Sequence, residues 1–132
     1  YFPISFVLPL KGNEKAVGLD MAHEKNRLKA LLSARDSGKA TITAPITLVQ
    51  DKKKTPGFLF YAPFYNANRD KTKVLRRDNF KGAVYAPFIV NKLMGGVLHQ
   101  SNRQIGVKIS DGTTVLYDEL HQDNKNFVKR TL

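Results

Sequence analysis

The sequence contains no cysteine, which excludes a disulfide scaffold, a thiolate metal site and a cysteine nucleophile. Its three histidines, His23, His99 and His121, are scattered without ligand spacing and give no basis for a histidine metal cage. No apolar run approaches the ~18 residues that a membrane helix needs, and the opening residues do not read as a signal peptide. Walker, GxGxxG, GxSxG and HExxH motifs are all absent. His23-Glu24 starts a zincin-like pattern, but Arg27 stands where the second histidine belongs. Asp111 and Asp118 bracket a short strand with no second feature to make them an acid/base pair, and read as turn carboxylates. The chain is therefore not expected to be an enzyme, and neither a cofactor nor a metal is implied.

Acidic residues are also scarce. Eleven Asp and Glu stand against 22 Lys and Arg, a formal charge of +11 over 132 residues. Hydrophobic residues at 42% and charged residues at 25% describe a globular chain and not a disordered tail. A chain of this size buries roughly two-thirds of its unfolded surface, enough for one core, so residues 1–132 read as a single domain. The charge is spread evenly: residues 1–66 carry a net +5 and residues 67–132 a net +6. The densest basic pieces, Lys52-Lys53-Lys54 and Arg69 to Arg77, lie beside turn residues and read as solvated.

Residues 2–10 are rich in Ile, Phe and Val and are expected to form a strand, with a second short strand at 16–19. The abrupt strand-like start implies a domain cut from a longer protein. Asp20 is placed as the N-cap of a helix over 21–37, with Gly38 as its stop. Leu28, Leu31, Leu32 and Arg35 form its stripe. Residues 40–49 read as a strand bent at Pro45, hairpinned through a lysine-rich turn to an aromatic strand over 57–65. A helical turn near 72–77, a strand over 80–90 and a helix over 92–100 follow, the last containing Gly95-Gly96 for close packing. Strands at 105–109 and 113–117 flank Asp111-Gly112, a strong hairpin signal. Tyr-Ala-Pro-Phe occurs twice, at 61–64 and 85–88, as if two sheet strands each tolerate a proline bulge. Consecutive strands with few helices predict an α+β fold, an antiparallel sheet with helices packed on one side.

The basic balance makes nucleic acid the alternative partner. Lys81 to Phe88 partly follows an RNA-recognition strand, but Ala83 stands where a stacking aromatic is required and Pro87 interrupts the strand. No nucleic acid is expected on that ground. The aromatic strand 58–65 reads as the central strand of the core, one face of which also suits a small-molecule pocket.

Several spaced segments resemble the CHASE domain. They are Gly18-Leu19-Asp20-Met21, Leu31 through Ala34-Arg35-Asp36-Ser37-Gly38-Lys39-Ala40, Thr43 to Val49, Gly57 through Pro63-Phe64-Tyr65, and Gly82 to Phe88. The resemblance runs from about Tyr1 to Tyr117. CHASE domains are the extracytoplasmic sensor regions of histidine kinases and cyclases, plant cytokinin receptors among them. The resemblance implies a PAS-like fold, here the membrane-distal, ligand-binding part of the sensor. It also implies a periplasmic or extracellular location, a membrane-anchored parent protein, a possible homodimer, and a kinase or diguanylate cyclase output. A two-component system is one such setting.

Carried over position by position, the receptors' pocket gives Met21, Val49, Tyr61, Phe80 and Ala83 as lining. Arg27 stands where those receptors use a carboxylate to hold a purine amino group, and Tyr61 where they have threonine. Cytokinin is therefore not the expected ligand. Arg27 presents a planar cationic fork that suits an anion, so the expected ligand is a small molecule with an anionic or strongly accepting group. On a helix from residue 21, Met21 and Arg27 would lie roughly 9 Å apart along the axis and frame opposite ends of the pocket.

Overall fold

The computed structural model describes residues 1–47, 55–66, 72–98, 106–120 and 128. Within them α1 (Lys25–Ser37) is followed by β1 (Thr41–Ile42), β2 (Ile46–Thr47), β3 (Pro56–Tyr65), α2 (Lys73–Asn79), β4 (Phe80–Ile89), α3 (Val90–Leu98), β5 (Lys108–Asp111) and β6 (Thr114–Asp118). The fold is α+β with antiparallel pairing throughout. The lysine-rich turn at 51–54 lies outside the described residues.

β3 is central. Its first half pairs with β2, its middle with β1, and its whole length with β4. Pro45 divides the expected 40–49 strand into β1 and β2, because a proline cannot donate to the ladder. Thr43 bridges the break: its N–H donates to the Leu59 carbonyl at 2.9 Å, and its hydroxyl accepts from the Leu59 N–H at 3.0 Å. The prolines at 63 and 87 sit in continuous register opposite Ala83 and Leu59. The single irregularity falls at Phe64/Tyr65, so neither proline makes a bulge. β4 is an edge strand among the described residues, where Pro87 leaves no ladder partner unsatisfied.

Period-two alternation sorts the aromatics of β3. Leu59 and Tyr61 are buried against α1, whereas Phe60 and Phe64 are exposed on the opposite face. There Phe58 stacks on Phe88 at 5.3 Å. The core lies between the other face and α1: Leu31, Ala34, Ile46, Leu59 and Tyr61 cluster with Ile4, Ala16 and Met21.

The expected strand over 2–10 is absent. One isolated bridge, Pro3 to Asp20, remains, and Phe6, Leu8 and Leu10 are exposed. Pro3 and Pro9 each remove a donor from the run, and only Ile4 is buried by it. Residues 14–16 form a 3-10 turn where part of the second strand was expected. Asp20 caps no helix. Its carboxylate accepts from the N–H groups of Phe2 and Ala22 at 2.8 and 2.9 Å, closing the N-terminal loop. The helix starts later because Glu24 takes the capping role, receiving the N–H groups of Asn26 and Arg27 at 2.8 Å each. Met21 therefore stands outside α1, and the helical spacing between Met21 and Arg27 does not apply.

At the other end of α1 the free carbonyls are satisfied from three sides. Gly38 adopts φ +70° and returns its N–H to Ala34. The Tyr65 hydroxyl donates to the Arg35 carbonyl at 2.6 Å, and Arg76 Nε donates to the Asp36 carbonyl at 2.7 Å. Part of the basic stretch expected to be solvated is thus built into the fold. Asp36 also holds Arg35, Arg77 and Lys73 by its side chain. Gly95 and Gly96 do not serve close packing, since a Cβ on either would meet nothing within 4 Å.

Candidate functional site

The face that α1 turns to the sheet is set by Ala30, Leu31 and Ala34, all buried. Extending that i, i+3, i+4, i+7 series backward gives Arg27 as its first member. The expected stripe of Leu28, Leu31, Leu32 and Arg35 is therefore rotated by one residue. The stripe opens on a half-buried cation in the first turn of α1, where the Glu24 cap also holds the Arg27 backbone N–H.

The Arg27 guanidinium reaches across to the sheet. Its Nη2 donates to the Thr47 carbonyl at 3.3 Å, at the end of β2. Its Nε is buried and has no hydrogen-bond partner among the described residues. On β3, Tyr61 is 1% exposed, the largest fully buried side chain described, and its hydroxyl also has no partner among the described residues. The two are electrostatically coupled: burial pushes the Tyr61 phenol well above its ordinary range, and the Arg27 charge partly opposes that shift. Tyr85, the register partner of Tyr61 on β4, lies with its ring 6.2 Å away and feels the same charge; burial raises its phenol too. An unpaired buried polar group costs about 1–3 kcal/mol, so two of them between α1 and β3 are a departure from ordinary core construction.

Arg27 lies near enough to Tyr61 for its charge to act on the phenol, and the other expected lining residues are set around or away from Tyr61. Met21 is buried in the same core cluster as Tyr61. Ala83, opposite Pro63 on β4, is partly buried against that cluster. Phe80 lies farther off: it pairs with Tyr65, about 13 Å along the strand from Tyr61. Its ring packs edge-on against Tyr65 and Phe2. Val49 falls outside the described residues. Tyr85 was not singled out as a pocket residue from the sequence, although the duplicated Tyr-Ala-Pro-Phe signalled it. In an antiparallel hairpin of the observed register the two leading tyrosines become partners.

The same register bears on the nucleic-acid alternative. Tyr85 turns toward α1 with Tyr61, while Phe88 stacks on Phe58 on the opposite face. Those two aromatics do not share one platform. Among the described residues no group of three His, Asp or Glu side chains is placed to hold a metal. No described helix is long and apolar enough to cross a membrane.

Comparison with curated proteins returns no match. The family model of the CHASE domain, in contrast, matches residues 1–121, nearly the whole chain and all of the elements that frame Arg27 and Tyr61. On that match the chain belongs to the CHASE domain family, an extracytoplasmic sensory domain of signalling proteins.

Proposed function

We propose that this domain binds a small molecule between α1 and the β3–β4 face and reports its occupancy to a cytoplasmic kinase or cyclase. The parent protein would be anchored in the inner or plasma membrane, with this domain on its periplasmic or extracellular side. The observation that carries the reading is the pair of buried, partnerless polar atoms on Arg27 and Tyr61. A domain under selection for stability alone would fill that position with apolar side chains or close the pair with a hydrogen bond. Membership of a sensory family supplies the context in which such a cost is tolerated.

Arg27, Tyr61, Met21 and Ala83 are the lining this reading assigns, with Val49 as a further candidate; Phe80, packed against Tyr65 and Phe2, is not among them. Occupancy would act as a population shift. A ligand that satisfies both donors favours the arrangement in which α1 and the sheet hold them together, and it moves the equilibrium only by its differential affinity. The test is a thermal-shift screen of the purified domain against metabolites of all charge classes. A ligand at 100 times its Kd adds about 2.7 kcal/mol of stability, a readily measured rise in Tm. A screen in which no compound raises Tm contradicts the reading.

A further inference from the structure

We infer that the sheet face turned away from α1 is a contact surface between two copies of this domain, packed sheet against sheet. The inference is independent of the small-molecule reading, whose lining lies on the α1 side. On this face β3 presents Phe58, Phe60, Ala62 and Phe64, and their register partners on β4 are Phe, Ala, Val and Gly in turn. Ile42 of β1 stands beside Phe60. None of these positions carries a polar or charged side chain. An antiparallel sheet with one face on water ordinarily alternates apolar with polar residues. The β3–β4 pair is instead apolar on both faces across this stretch, the pattern of a layer covered on both sides. Yet four of its side chains stand open: Ile42 is 60% exposed, Phe60 39%, Phe64 50% and Val84 67%.

Area and charge select the occupant. With about 200 Å² for a whole aromatic side chain and somewhat less for an aliphatic one, the four expose about 400 Å². Two copies face to face withdraw about 800 Å² through these side chains, and the half-buried Phe58 and Phe88 bring the contact toward the ~1,000 Å² of a specific interface. The chain carries +11, but none of that charge sits on this face. An acidic partner finds no cation here to pair with. The face fits a flat, charge-free apolar sheet, and the same face of a second copy is one; a two-fold axis makes the contact isologous. The like charges of the two copies then stay outside the contact, where salt screens them.

The experiment is sedimentation equilibrium of the purified domain from about 10 μM to about 1 mM, at low and at physiological salt, with Tm measured alongside. Wild type is compared with Val84→Lys, Ile42→Lys and Val74→Lys. The expected result is a concentration-dependent dimer that tightens as salt rises, because screening relieves the repulsion between two +11 copies. Val84→Lys and Ile42→Lys should each weaken it about tenfold or more, since each puts an unpaired charge into an apolar contact. Val74→Lys adds the same charge at a side chain that is also 67% exposed, but on α2, and should leave the dimer unchanged. Phe64→Ser reads the same contact should a lysine at 84 or 42 prevent folding. A domain that stays monomeric at every concentration overturns the inference. So does a dimer weakened as much by Val74→Lys, or one that salt dissociates, because charged groups elsewhere then hold it. A dimer lost in Val84→Lys and intact in Ile42→Lys is joined through the β4 edge, and overturns the face-to-face contact.

Discussion

Asp36 shows how one side chain organises its surroundings. With a side chain 19% exposed, it receives Arg77 through two nitrogens at 2.9 and 2.5 Å, Arg35 at 2.8 Å and Lys73 at 3.4 Å. The Arg77 bond foremost holds its carboxyl far below the usual carboxylate range, against a desolvation cost that pushes the other way. The folded value lies under the unfolded one, so the stabilisation is fully present above about pH 4 and is lost as pH falls toward the folded value. Asp36→Asn should therefore cost about 1 kcal/mol at pH 7 and clearly less at pH 2, most of the loss with pH coming between about pH 4 and the folded value. Urea denaturation of both proteins at the two pH values checks this; an equal difference at both would refute it. Tyr61 gives the opposite limb. Its phenol is raised by burial, so its contribution is complete below about pH 10 and falls away above it, as the unfolded chain ionises first. Alkaline denaturation of Tyr61→Phe should show a shallower pH dependence than wild type. Neither residue announces this in the sequence. Asp36 sits in a string of polar residues, and beyond its neighbour Arg35 the cations that pair with it, Arg77 and Lys73, come from another helix some forty positions away. Arg27 was a candidate through the family resemblance, as the residue standing where the receptors have a carboxylate. That it belongs to the buried stripe emerged only from the packing, because Leu28 and Leu32 outbid Ala30 and Ala34 as apparent core residues.

Elements were legible where the signal was local. Gly38 stops α1, Asp111-Gly112 turns the β5–β6 hairpin, and the aromatic run becomes β3. Local signals misled where a distant partner decided the outcome. Asp20 is spent on Phe2, and the N-terminal apolar run finds no strand to pair with beyond one bridge. The two glycine types separate experimentally. Gly38 has φ +70°, and a Cβ there would come within 3.0 Å of the Arg76 side chain that caps the Asp36 carbonyl. Gly38→Ala should cost about 1–2 kcal/mol, from left-handed backbone strain together with the disturbed clamp. Gly95→Ala, within α3 and in open space, should gain about 0.5–1 kcal/mol from helix propensity. Denaturation midpoints measure both, and a Gly38→Ala protein as stable as wild type would show that the α1 end is not clamped as described.

At the scale of the whole molecule, the α+β chain carries a +11 charge and, among the described residues, sets Arg27 on the core-facing stripe of α1. The antiparallel sheet was foreseeable from strand order. The pairing of Tyr61 with Tyr85 was not read, since it depends on a register that only the folded hairpin fixes. The resemblance to a sensory family did not need that register, because it rested on spaced segments. What the register adds is chemistry: two phenols and a guanidinium converging where a core would ordinarily be dry and paired.

The most direct measurement is nuclear magnetic resonance of the 15N-labelled domain, following the Arg27 Nε–H side-chain resonance during titration with the metabolite that stabilises it most. The expected result is a saturable downfield shift of that resonance, accompanied by the backbone amides of β3 around Tyr61 and of the first turn of α1. A stabilising metabolite that leaves the Arg27 Nε–H unmoved, with shifts confined to other elements, would contradict a ligand site between α1 and the β3–β4 face.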